Sequence, residues 1–178
     1  MRMKFGTLRP TARKVWVFLH VGFSVGWLGV SMTMLVLASV GARARDPALR
    51  HYAYEFMHVL DMAIVIPVAL LTLITGLVVS LGTKWGLVRH WWVLAKLGIA
   101  LAIPIYSIVQ QRFWLEEAVR SSVGGHAAGL SRNDVVLWAC AVIYTLLLWV
   151  ATAVSTVKPW GRTRWAPAPP PRRAAAVR

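Results

Sequence analysis

Four stretches of the chain are almost unbroken in apolar residues, over 15–40, 54–81, 91–110 and 135–156. A helix needs roughly 20 residues to cross a hydrocarbon layer of about 30 Å, and each stretch is near or above that length. Polar and basic residues collect between the runs and at both ends. The pattern predicts an all-α fold, a bundle of four transmembrane helices over 15–156, preceded by a basic head over 1–14 and followed by a tail over 157–178. Little chain is left for a separate soluble domain.

Local signals refine these limits. Trp16, Trp85, Trp91, Trp92, Trp114 and Trp160 fall near the predicted membrane boundaries, where an indole keeps its ring in the apolar layer and its N–H wet. Gly22 and Gly26 form a GxxxG step that Gly29 continues, a pattern that permits close approach of helices, within the chain or to a second copy or partner subunit of a membrane complex. Pro67 and Pro104 sit inside the second and third runs and predict kinks with a freed carbonyl. Ser131-Arg132-Asn133-Asp134 reads as a capped helix start. The longest loop is expected over 111–134, with Glu116, Glu117 and Arg120 in a short interfacial helix before Gly124-Gly125. The tail, with its Pro169-Pro170-Pro171 run, reads as disordered. The first run is too long for the h-region of a signal peptide, about 7 to 15 residues, and reads as a retained helix.

Composition agrees with the pattern. The 178 residues are 58% hydrophobic, yet the formal net charge is +14. A nucleic-acid reading needs a basic face on a folded domain, whereas these charges are distributed by topology. Arg2, Lys4, Arg9, Arg13, Lys14, Lys84, Arg89, Lys158, Arg162, Arg164, Arg172, Arg173 and Arg178 share one side of a four-span bundle; Arg43, Arg45, Arg50, Arg112, Arg120 and Arg132 share the other. The positive-inside rule therefore places both termini in the cytoplasm and the bundle in the cell membrane. Cys140 is the sole cysteine, which excludes an internal disulfide and a thiolate metal cluster. No catalytic Ser/His/Asp spacing and no phosphate-cradling glycine loop is present.

Ionisable residues inside a span are costly and mark candidate sites. His20 and Lys96 each lie five residues into helices of the same direction, counted from 15 and 91, and so at one depth near the cytoplasmic face. A neutral imidazole can ligate haem iron, and a cation beside it can pair with a propionate; equally, a lysine near a helix end can extend its ammonium to the headgroups. At the opposite face His51, Glu55 and His58 share a helical stripe, with Asp61 a turn further on. Imidazole and carboxylate in this arrangement suit a transition metal, and Met32, Met34, Met57 and Met62 offer thioethers fit for Cu(I). The same residues also suit an interfacial stripe, gap-filling methionines, and an Asp61 paired with a loop arginine.

The stretches His20 to Leu35 (HVGFSVGWLGVSMTML), Tyr54 to Gly76 (YEFMHVLDMAIVIPVALLTLITG) and Trp92 to Lys96 (WVLAK) resemble the first three helices of HemJ-type protoporphyrinogen oxidases and the related CopD-type copper-resistance proteins. The resemblance implies a haem b ligated by His20 and a Lys96 needed for oxidoreductase activity, or, on the CopD side, copper handling. Leu94 stands where the HemJ pattern carries a histidine, and Val59 or Leu60 where it carries a basic residue. That points to the wider group of four-helix membrane proteins around these two families.

Overall fold

The computed structural model describes residues 8–83, 86–123 and 130–166. Trp85, Gly124, Gly125, His126, the proline-rich 167–171 and the basic residues Arg2, Lys4, Lys84, Arg172, Arg173 and Arg178 lie outside them. Six α-helices, α1 (Pro10–Arg43), α2 (Pro47–Leu60), α3 (Ile66–Leu81), α4 (Trp91–Tyr106), α5 (Arg112–Val123) and α6 (Arg132–Val157), form the described fold, with no strand among the described residues. A π turn at Asp61–Val65 joins α2 to α3 without a break, and another at Ser107–Gln111 joins α4 to α5.

The helix ends follow from the sequence. Pro10 and Pro47 occupy first-turn positions, where the missing N–H costs nothing. The Asp46 carboxylate accepts from the Ala48 N–H at 3.0 Å and caps α2. At α6 the expected cap is a full capping box: Ser131 Oγ accepts from the Asp134 N–H (3.2 Å), and Asp134 Oδ2 accepts from the Ser131 N–H (2.7 Å). Lys158, left-handed at φ 51°, and the following Pro159 stop that helix.

Both π turns lie close to a proline, Pro67 and Pro104. The Ile66 N–H reaches back to the Asp61 carbonyl and the Arg112 N–H to that of Ser107. Such widened turns accommodate a helix interrupted by a residue without an N–H.

Four helical stretches are long and apolar enough to cross a membrane: Pro10–Arg43, Pro47–Leu81, Trp91–Val109 and Arg132–Val157. The expected spans are all present, and the short helix expected around Glu116, Glu117 and Arg120 is α5, continuous with α4 through the π turn. Helix continues through Val123, because 112–123 holds no breaker and has an apolar stripe to bury. Leu115 and Ala118 are buried against Tyr54 and Met57 of α2, while Glu116 bridges Arg112 at 3.2 Å and Arg120 at 3.9 Å on the exposed face.

α1 packs against α3 and α6, and α4 against α3 and α6, so the four spans close a ring, with α5 laid beside α2 at one end. Large apolar side chains such as Phe18, Val25, Ile105, Val109 and Trp149 face outward, as contact with lipid requires. The chain is a helical membrane protein.

One pole of the bundle gathers both ends of the described chain. The Leu8 N–H donates to Gly82 O at 3.0 Å, and the Thr163 N–H to Arg89 O at 2.9 Å. The start of the tail is therefore ordered: Thr163 is buried, its hydroxyl donates to Val88 O at 2.5 Å, and Trp165 lies against Trp91.

The close helix approaches are not at the GxxxG step. A Cβ on Gly22 or Gly29 would meet nothing within 4 Å, and one on Gly26 only Val68 at 3.9 Å, so this stripe makes no tight contact within the chain. The tight positions are Gly41, packed on the Tyr54 ring, and Gly76, packed on the His20 ring.

Candidate functional site

Polar side chains gather at three levels: the pole that holds the termini, mid-span, and the far pole. At the terminal pole, His20 projects from α1 onto α3. Its Nδ1 lies 3.1 Å from the Thr72 carbonyl and 3.2 Å from Thr75 Oγ1. A carbonyl only accepts, and the Thr75 hydroxyl already donates to Leu71 O at 2.6 Å. Nδ1 therefore carries the hydrogen, and in the neutral ring Nε2 keeps its lone pair. No hydrogen bond among the described residues engages Nε2.

Gly76 makes this orientation possible, since a Cβ there would come 2.9 Å from His20 Cε1. The ring is pinned by its bond to Thr72 and cannot swing aside without losing it. Gly76→Ala is accordingly expected to destabilise the protein by about 1 to 3 kcal/mol, the usual cost of overpacking, seen as a lower midpoint of thermal unfolding in detergent. Gly22→Ala, whose methyl would meet nothing within 4 Å, should leave that midpoint nearly unchanged.

Lys96 extends from α4 to α6, where Nζ donates to Ser155 Oγ at 2.9 Å and lies 6.0 Å from the Trp92 ring centroid. It is half-buried and partnered within the ring of helices instead of reaching out to the headgroups. His20 and Lys96 are near enough to interact electrostatically but share no hydrogen bond. α1 begins at Pro10, five residues before the expected span, and α4 at Trp91, so His20 lies about 15 Å along its helix and Lys96 about 8 Å along its own.

The far pole carries the third candidate set. His51 Nδ1 donates to Ser122 Oγ at 2.9 Å, the Ser122 hydroxyl itself donating to Val119 O, which turns the ring toward α5. Glu55 and His58 are half-buried on α2. Among the described residues no three of His, Cys, Asp or Glu come together as a metal-holding group, so His51, Glu55 and His58 share a stripe without converging on one point.

What does converge there is a network that sequence reasoning missed. Asp134, 1% exposed, accepts hydrogen bonds from the Arg50 guanidinium and the Tyr54 hydroxyl as well as from the Ser131 N–H. Arg50, expected in the first loop, thus pairs with Asp134, while Arg112 is the arginine within electrostatic reach of Asp61. Its signals were the Ser131 to Asp134 capping pattern and an arginine inside the first turn of α2. Each was legible alone; their meeting across 84 residues was not.

At mid-span a cavity of about 80 Å³ lies between the four helices, bordered by Trp27, Ser31, Asp61, Pro104, Ser107 and Tyr144 among others. Ser31 Oγ and Thr145 Oγ1, 2.9 Å apart, link α1 to α6 beside it.

A four-span helical membrane bundle with a fixed imidazole near one pole is the class that fold and site define. Comparison with protein-family models, with curated proteins and with solved structures found no match for the chain.

Proposed function

We propose that the protein binds haem or a related porphyrin at its terminal pole, with His20 as axial ligand and Lys96 as partner of a propionate. The observation that carries this reading is the state of His20. Metal-bound histidines characteristically donate their second ring N–H to a carbonyl or carboxylate, which fixes the tautomer and aims the free nitrogen. The Thr72 carbonyl stands in that role, and Gly76 leaves the room. Lys96 adds a cation within electrostatic range, oriented by Ser155.

The donor set suits one axial imidazole and one anionic side group. Bound there, haem would supply one-electron chemistry. The excess of basic residues around this pole supports placing it on the cytoplasmic side of the cell membrane.

Haem titration of the detergent-purified protein, followed by the Soret band, tests the assignment of Lys96. Replacing a charged hydrogen-bond partner costs about 1.5 to 3 kcal/mol, so Lys96→Met is expected to weaken haem binding about tenfold to a hundredfold. Unchanged affinity in a well-folded Lys96→Met variant would remove the lysine from the site.

A further inference from the structure

We propose that Asp61 is a reversible proton-binding site at the middle of the membrane, its carboxyl group opening on the mid-span cavity, which takes up water when the group ionises. The site is separate from the His20 pole and does not depend on a cofactor there.

Asp61 is only 5% exposed and stands near the midpoint of the span Pro47–Leu81. Its carboxylate enters none of the hydrogen bonds or ion pairs among the described residues. A buried carboxyl group that forms no hydrogen bond or ion pair is retained at considerable cost, and in a membrane such a residue marks a functional position. A second group independently points to the same space. The Tyr144 hydroxyl, near the middle of the span Arg132–Val157, is buried and has no hydrogen-bond partner among the described residues, yet Tyr144 lines the cavity with Asp61.

The backbone adds to this. Asp61 opens one π turn and Ser107, also on the cavity wall, opens the other. Pro104 lies on the same wall and leaves the Ala100 carbonyl without its helical donor. Both π turns thus border one space, the arrangement in which irregular backbone is tolerated at membrane depth.

Volume and charge define the ligand. About 80 Å³ is room for a few waters, well below the roughly 300 to 1,000 Å³ of sites for drug-sized molecules. The wall is otherwise apolar, so the site offers a single titratable carboxyl with neutral hydroxyls. That suits a proton carried in with water. The titratable and charged groups within electrostatic reach of Asp61 are His58 on α2, Arg112 on α5 and Tyr144 on α6, with Cys140 and Tyr106 standing beside Tyr144. α1 and α3 contribute uncharged walls such as Trp27, Ser31 and Ala69.

Dicyclohexylcarbodiimide provides the test, because this apolar reagent attacks protonated carboxyl groups in hydrocarbon. The carboxyl oxygen adds to the carbodiimide carbon, the acid proton moves to nitrogen, and an acyl shift leaves a stable N-acylurea. Full-length wild-type protein in membranes is treated across a pH series and the adduct is located by peptide mass spectrometry. The expected result is an adduct on Asp61, with a yield that falls about tenfold per pH unit above its midpoint and is unaffected by added sodium at fixed pH. Asp61→Asn should remove it. No adduct on Asp61 at any pH, or a yield independent of pH, overturns the proposal; protection by sodium at constant pH overturns it in favour of a metal-cation site.

Discussion

Arg50→Ala is expected to destabilise the protein by about 3 to 5 kcal/mol, the cost of leaving one member of a buried ion pair without its partner. The effect should be large because no other cation among the described residues forms an ion pair with Asp134. The Asp134 carboxylate is buried and is held by Arg50, by the Tyr54 hydroxyl and by the Ser131 N–H, so it ties α2 to the first turn of α6. Removing the guanidinium leaves the charge with two neutral donors in a pole packed by Met57, Leu115 and Leu137. The variant should lose thermal stability in detergent. The double replacement Arg50→Met with Asp134→Leu should recover much of the loss, since exchange of a whole buried pair for apolar groups is often nearly neutral. Equal stability of Arg50→Ala and wild type would mean that the pair contributes nothing.

Gly41→Ala is the second large effect, expected to cost about 1 to 3 kcal/mol. A Cβ at Gly41 would lie 2.7 Å from two ring carbons of Tyr54, and Tyr54 is fully buried, with its hydroxyl committed to Asp134. The ring can move only by giving up that bond. The two sites should therefore be coupled: in a Tyr54→Ala background the added methyl has room, and Gly41→Ala should become close to neutral. Residues in contact show this kind of non-additivity, whereas distant ones do not. A penalty that persists in the Tyr54→Ala background would place the strain elsewhere.

The spans were legible in the sequence because hydrocarbon sets a length and a composition that few other structures share. The cap at Ser131 was legible for a similar reason, its chemistry being local. The continuation of α4 into α5 through a π turn was not, since it is fixed by the packing of Leu115 and Ala118 on α2, which lies far away in the chain. Spacing drew attention to Gly22, Gly26 and Gly29, whereas the tight contacts between helices of the chain fall on Gly41 and Gly76, which no short pattern marks. His20 and Lys96 could be picked out as ionisable residues in apolar runs, but their partners Thr72, Thr75 and Ser155 lie more than 50 residues away in the chain. Tyr144 is one of three aromatics in an apolar helix, and only the cavity gives it meaning.

The fixed tautomer of His20 is the centre of the functional reading, and an absorbance spectrum addresses it most directly. Purified wild-type protein loaded with haem in detergent is compared with His20→Ala, with and without added imidazole. The expected result is a Soret band of an imidazole-ligated haem in the wild type, its loss in His20→Ala, and its return when free imidazole occupies the vacated position. A wild type without a Soret band, or a His20→Ala spectrum indistinguishable from that of the wild type, would contradict the assignment.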